Sequence, residues 1–167
     1  YLFESSENFQ LIGQSSADFI GGGDRFLSIG RIYNLFTQAM GLRPNSDEGK
    51  VEALAAFGIP DKDLLSLLKN ATHIDKTSLS INFKIQEIKY FYDIDWLIEQ
   101  RKKVGDENFC ASVQSYLEDT IVDYLNAIYQ RFPIKNLCLS GGVAANIIMS
   151  LQIYERTKFK NIYVLPP

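Results

Sequence analysis

Two short stretches of this 167-residue chain have the residue types to meet a charged ligand. The first is Leu139-Ser140-Gly141-Gly142-Val143-Ala144-Ala145-Asn146. Apolar runs flank it, so the spacing predicts a strand, a turn and then a helix from Val143 onward. Two glycines at such a turn remove Cβ atoms and let a ligand approach the backbone. The free N–H groups of the helix start and the helix dipole suit a phosphate. Ser140 and Asn146 can add polar contacts. The bland alternative is a tight turn that uses glycine only for its backbone geometry.

The second stretch is Asn45-Ser46-Asp47-Glu48-Gly49-Lys50, two carboxylates and an amine at a helix start. Helix capping plus surface charge explains it without a ligand. It is not a Walker A loop, which needs glycine where Pro44 stands and Ser or Thr where Val51 stands. Gly21-Gly22-Gly23-Asp24 lacks the flanking strand and helix of a dinucleotide loop and reads as a linker. His73 is the single histidine. A Ser-His-Asp triad stays open for it, although Ala71-Thr72-His73-Ile74-Asp75 reads as a loop. One histidine cannot build a multi-histidine metal site.

These stretches need elements to hold them. Tyr1 to Ser5 and Phe9 to Gln14 read as strands around the turn Ser6-Glu7-Asn8. Ile29, Ile32, Tyr33, Phe36 and Met40 recur at helical spacing, predicting a helix over about 28–40 closed by Gly41. Asn45 and Glu48 form a capping-box pattern. The helix they open carries Val51, Leu54, Ala55 and Phe57 and stops at Gly58 and Pro60. Asp61 caps a short helix through Leu68. Leu79, Ile81, Phe83 and Ile85 alternate with polar residues, as in a half-buried strand or an extended edge segment. Trp96 to Lys103 suggests an amphipathic helix. The strongest helix runs over about 111–131, on a stripe from Val113 to Ile128. The strand 136–140, the glycine turn, a helix and the strand 161–165 make a βαβ unit, so a parallel pair in a mixed sheet is expected.

Composition narrows the classes. Apolar residues are 46% and charged residues 22% of the chain, an ordinary globular mixture. The net charge of −3 gives no electrostatic reason to expect nucleic acid or an anionic membrane as partner. Cys110 and Cys138 form no CxxC pair and read as reduced core residues of a cytoplasmic protein. The longest uncharged run, Asn136 to Tyr154, holds Gly141, Gly142, Asn146 and Gln152 and so reads as a buried strand and helix. Strand-like residues at both ends of the chain lead us to expect an excised domain with missing neighbours.

Taken together the blocks resemble a family. Ser28-Ile29-Gly30-Arg31-Ile32-Tyr33, with Thr37 and Gly41 behind it, resembles the Ser-x-Gly-x-x-Tyr helix of the NodU/CmcH carbamoyltransferases of nodulation and antibiotic tailoring. Glu48-Gly49-Lys50-Val51-Glu52-Ala53-Leu54-Ala55-Ala56-Phe57-Gly58 is similar to their Glu-Gly-Lys-Val-Met-x-Leu-Ala-x-Tyr-Gly signature. Ala111, Gln114 and the long helix, then Leu137 to Asn146, resemble the second block, and Ile162 to Pro167 the strand that follows. The blocks come in family order, while the stretch from Asp61 to Asn108 matches no motif.

The resemblance implies an α/β fold: an incomplete lobe of the actin/Hsp70/sugar-kinase (ribonuclease H-like) kind, shared with enzymes that threonylcarbamoylate tRNA. On it, residues 1–167 form a single partial domain, most of the second lobe, with 61–108 a family-variable insert. The implied reaction activates carbamoyl from carbamoyl phosphate with ATP as a carbamoyl adenylate and transfers it to a hydroxyl of a small molecule or glycan. Gly141, Gly142, Val143, Asn146 and Lys50 would face the nucleotide and its phosphates, and Glu48 or Asp47 would act as base. Implied partners are ATP, carbamoyl phosphate, a hydroxyl-bearing acceptor, the remaining lobe and a YrdC-like domain of the same polypeptide. The parent's iron, or another divalent metal, would be held by a His-x-x-x-His motif upstream of Tyr1 and an Asp beyond Pro167, so this chain is expected to supply no metal ligand and to be inactive alone. Departures from the pattern are Glu52 where the family has Met and Phe57 where it has Tyr. Two other readings remain: a related kinase or tRNA-modifying enzyme on the same fold, and a non-catalytic binding module.

Overall fold

A computed structural model describes residues 2–5, 9–14 and 28–165. The expected turn 6–8, the glycine-rich linker 21–24 and the closing Pro166-Pro167 lie outside the described residues. In chain order the elements are β1 (Leu2–Ser5), β2 (Phe9–Gly13), α1 (Ile29–Ala39), α2 (Glu48–Ala55), α3 (Lys62–Asn70), β3 (Thr72–Asp75), β4 (Ser80–Phe83), α4 (Ile85–Ile88), α5 (Ile94–Val104), α6 (Asp106–Arg131), β5 (Asn136–Leu139), α7 (Ile147–Arg156) and β6 (Asn161–Val164). Single 3₁₀ turns occupy Lys89–Tyr92 and Gly142–Ala145.

The class is α/β, as expected. The 26-residue α6 is its spine, about 39 Å long at the usual rise. Helices α1, α2, α3, α5 and α7 all pack on it. Asp106 and Glu107 extend α6 by more than a turn before the apolar stripe begins. Carboxylates there suit the positive end of the dipole, and a reading anchored on apolar periodicity misses them. One core runs through the molecule. Phe36 of α1 stacks on Phe109 of α6 with ring centroids 4.4 Å apart, and Leu64, Leu68, Phe91, Leu97 and Tyr116 are fully enclosed around them. The motif-free stretch from Asp61 to Asn108 therefore shares the core of the motif-bearing helices.

The strands form three separate two-stranded sheets among the described residues, not one mixed sheet. β1 pairs antiparallel with β2, and β3 antiparallel with β4. β5 and β6 are parallel, with Asn136 opposite Asn161 and Leu139 opposite Val164. With α7 as the crossover they form the expected βαβ unit. Leu137, Leu139 and Ile162 pack on the core, while Cys138 and Tyr163 face outward.

Other local expectations need correction. Residues 72–75 are strand β3, not a loop, because they pair with β4 in the register Thr72–Phe83 and Ile74–Ile81. A four-residue strand held by a partner is hard to see locally. The helix expected from Val143 is interrupted. Asn146 takes an extended conformation and caps α7, accepting the Met149 N–H on Oδ1 at 2.8 Å. The capping box is half formed. Asn45 donates its N–H to Glu48 Oε1 at 2.5 Å, but its own Oδ1 accepts from Asn34 Nδ2 at 2.7 Å, and Asp47 is the N-cap. Phe57, expected as an apolar contact, is 81% exposed. Among the described residues no helix is long and apolar enough to cross a membrane.

Candidate functional site

The Gly141-Gly142 turn lies at the end of β5, on the surface. Gly141 has φ +97° and ψ 169°, a region that only glycine populates readily. Gly142 has no such constraint, and a Cβ built on it would meet no atom within 4 Å. Nothing in the described chain therefore requires glycine at 142. Within the turn, Ala144 donates its N–H to the Gly141 carbonyl at 3.0 Å and Asn146 to that of Val143 at 3.2 Å. Among the described residues no acceptor meets the N–H of Gly142 or Val143. An exposed turn with two free donors and open space above it is what a phosphate or carboxylate oxygen can use.

Two elements brace this turn and the start of α7 that follows it. The first turn of α1 lies directly against it, since a Cβ on Gly30 would come within 3.0 Å of Val143 Cγ2. From α2, Glu52 accepts the Ile148 N–H on Oε1 at 2.8 Å. With Asn146 on the Met149 N–H, two N–H groups of the α7 start are already used. The open donors belong to the glycine turn rather than to the α-helix that the sequence spacing offered.

Behind the turn is a buried polar network. Tyr33 of α1 donates its hydroxyl to Gln114 Oε1 of α6 at 2.8 Å. Gln114 Nε2 donates to Asn146 Oδ1 at 3.0 Å and to Glu118 Oε1 at 2.8 Å, and Asn146 Nδ2 donates back to Gln114 Oε1 at 2.9 Å. Tyr33, Gln114 and Asn146 are all buried. Burial first, then the carboxylates of Glu52, Glu118 and Glu48, holds the Tyr33 phenol far above its ordinary range, so it remains a neutral donor. Burial also raises the Glu118 carboxyl, against the hydrogen bond from Gln114. Residues from all three motif blocks thus converge behind the turn. The sequence signal for Gln114 was an amide set among the apolar stripe residues of α6.

The acidic stretch at the start of α2 divides into two. Asp47 is 7% exposed and accepts the Arg43 N–H at 3.0 Å, Arg43 Nε at 3.1 Å and Lys50 Nζ at 3.0 Å. The hydrogen bonds from Arg43, chiefly through its side chain, and the one from Lys50 hold its carboxyl well below the usual carboxylate range, so it is a weak base. Lys50 Nζ is engaged with it. Glu48 is half-buried and spends one oxygen on the Asn45 N–H.

His73 is exposed on β3, opposite Asn82. It lines a cleft of about 490 Å³ between the β3 region, α3 and α6, with Lys69, Asp119 and Asp123. No serine is among the lining residues, so a Ser-His-Asp triad is not assembled there. Among the described residues no group of three or more His, Cys, Asp or Glu side chains is placed to hold a metal.

The model of the family described as carbamoyltransferase N-terminus matches residues 2–167. An uncharacterised protein of Methanocaldococcus jannaschii is 44% identical over 171 residues, covering 99% of this chain and 28% of that protein. An uncharacterised protein of Synechocystis is 29% identical over 156 residues, 83% of this chain and 25% of that protein. A tRNA N6-adenosine threonylcarbamoyltransferase of Streptococcus thermophilus is 25% identical over 162 residues, 96% of this chain and 43% of that protein. The chain spans less than a third of the length of the first two and less than half of the third.

Proposed function

The chain belongs to the carbamoyltransferase N-terminus family, and from that premise we propose that its parent protein carries carbamoyl from carbamoyl phosphate to a hydroxyl of a small molecule or glycan, with ATP activating the group. In the proposed chemistry, carbamate released from carbamoyl phosphate attacks the α-phosphorus of ATP and pyrophosphate leaves. The acceptor oxygen then displaces AMP from the carbamoyl carbon and gives up its proton to a carboxylate.

The proposed work of this chain is positioning and charge. The N–H groups of Gly142 and Val143 donate to phosphate oxygens, with Gly141 supplying the backbone conformation that exposes them. Fixed donors of this kind stabilise developing negative charge without reorganising. Asn146 adds a side-chain amide, and Lys50, paired with Asp47, a positive charge on α2. Glu48 is the better candidate for the base, because Asp47 is held ionised by Arg43 and Lys50. The iron expected in the parent is assigned to residues outside this chain, as is carbamate release in a YrdC-like domain. We place the protein in the cytoplasm, without a nucleic-acid or membrane partner.

The observation that carries this reading is Gly142, a glycine that neither its own conformation nor any described neighbour requires, beside two N–H donors that meet no acceptor among the described residues. The test is Gly142→Asp in the full-length protein. Carbamoyl transfer should disappear while the thermal midpoint holds. Intact transfer would remove the phosphate role.

A second reading, tRNA threonylcarbamoylation, is favoured by the Streptococcus thermophilus relative. Salt-dependent retention of tRNA by the full-length protein would support it.

A further inference from the structure

We propose that Gln114 is a positioning residue that fixes the Asn146 amide so that one Asn146 N–H meets an oxygen of the nucleotide on the Gly141-Gly142 turn. This rests on the nucleotide reading given above.

Counting donors and acceptors supports it. A primary amide offers two N–H donors and an oxygen with two lone pairs. Gln114 uses all four: Oε1 accepts from Tyr33 Oη and Asn146 Nδ2, and Nε2 donates to Glu118 Oε1 and Asn146 Oδ1. Asn146 uses three. Its Oδ1 accepts from the Met149 N–H and from Gln114 Nε2, and its Nδ2 donates once, to Gln114 Oε1. The orientation of the Asn146 amide is not arbitrary, because a backbone N–H can only donate and so Oδ1 must face Met149. Among the described residues the single unfilled capacity in this buried pair is therefore an N–H, on a residue four positions after Gly142. A leftover donor in a network whose other valences are filled is what an incoming oxygen would complete, and it adds a third donor to those of Gly142 and Val143.

Gln114 itself touches no ligand in this account. Its role is to hold Asn146 from the opposite side, with Tyr33 and Glu118 fixing the Gln114 amide in turn. Gln114→Glu keeps the shape. It removes the donor to Asn146 Oδ1, brings a second carboxylate to Glu118, and competes for the remaining Asn146 N–H.

The experiment uses the full-length protein and α,β-methylene ATP, whose α–β bridge cannot be cleaved. Calorimetric Kd for the analogue and the thermal midpoint of the unliganded protein are measured for wild type, Gln114→Glu, the double variant Gln114→Glu/Glu118→Gln, and Tyr33→Phe. Gln114→Glu should raise Kd about tenfold, as expected for losing one hydrogen bond to a charged group. Adding Glu118→Gln should restore the midpoint but not the Kd, because it relieves the like-charge pair without returning the donor to Asn146. Tyr33→Phe deletes one bond at a distance and should raise Kd about threefold with little change in midpoint; it keeps the test alive if Gln114→Glu does not fold. A wild-type Kd in both Gln114→Glu and Tyr33→Phe, or midpoint and Kd recovering together in the double variant, would overturn the positioning role. Failure of the wild type to bind the analogue would overturn the nucleotide reading itself, and the inference with it.

Discussion

Three glycines in this chain should respond to the same substitution in three different ways, and the contrast isolates the one proposed to face a ligand. At Gly142, alanine meets no atom within 4 Å and no forbidden backbone angle. The fold should tolerate it, with a gain of about 0.5 kcal/mol from the restricted unfolded chain. At Gly141, φ is +97°, and a side chain there costs about 1–3 kcal/mol of strain. At Gly58 the added Cβ would sit 2.1 Å from the carbonyl oxygen of Glu107. Both partners are backbone, so the end of α2 must move off α6, at about 1–3 kcal/mol for the overpacking. Only Gly142→Ala should separate binding from stability. Its methyl group would occupy the space a phosphate oxygen needs beside two N–H donors. Hydrogen bonds to charged groups contribute about 1.5–3 kcal/mol each, so weakening both should raise the Kd for a nucleotide about a hundredfold. Calorimetric titration with α,β-methylene ATP and thermal unfolding, on the full-length protein, read the two quantities separately. If Gly142→Ala lowered the midpoint and left nucleotide affinity unchanged, the turn would be a structural glycine turn and nothing more.

Further outcomes follow from the same geometry. Burial raises the Glu118 carboxyl above its unfolded value, so its contribution to stability is fully present below the unfolded pKa and is lost as pH rises through the folded one. Glu118→Gln should therefore be more stable than wild type at pH 7, with the gap in thermal midpoint closing towards about pH 4; a gap independent of pH would contradict this. Cys110 is buried and its thiol is pushed up to about 12 by burial, whereas Cys138 is exposed on the outer face of β5. Iodoacetamide should label Cys138 and spare Cys110 in this chain. Parallel strands are normally covered on both faces, so Cys138 should become protected in the full-length protein, as mass spectrometry of the two labelled samples can show.

The residues that organise the site were visible in the sequence to different degrees. The glycine turn and the βαβ unit around it were legible because apolar runs flank the turn on both sides. The core stripes of α1 and α6 were legible from period alone. The division of labour in the acidic stretch was not: Asp47 and Glu48 look equivalent until Arg43 and Lys50 close on one of them. The break at Asn146 was also hidden, because Val143, Ala144 and Ala145 are compatible with a helix and the Asn146 amide is held by Gln114, 32 residues away. Strand β3 was hidden for the same reason, since its identity depends on β4. Glu52, noted only as a departure from the family pattern, proved to hold the first turn of α7 by the Ile148 N–H.

The central claim is that the parent protein uses ATP to activate carbamate at this turn, and isotope exchange tests it most directly. The full-length protein is incubated with ATP, labelled pyrophosphate and carbamoyl phosphate, with no acceptor present. The account predicts label entering ATP only when carbamoyl phosphate is present, and none with Gly142→Asp. Exchange that ignores carbamoyl phosphate, or turnover of ATP to ADP and phosphate with no exchange at all, would contradict it.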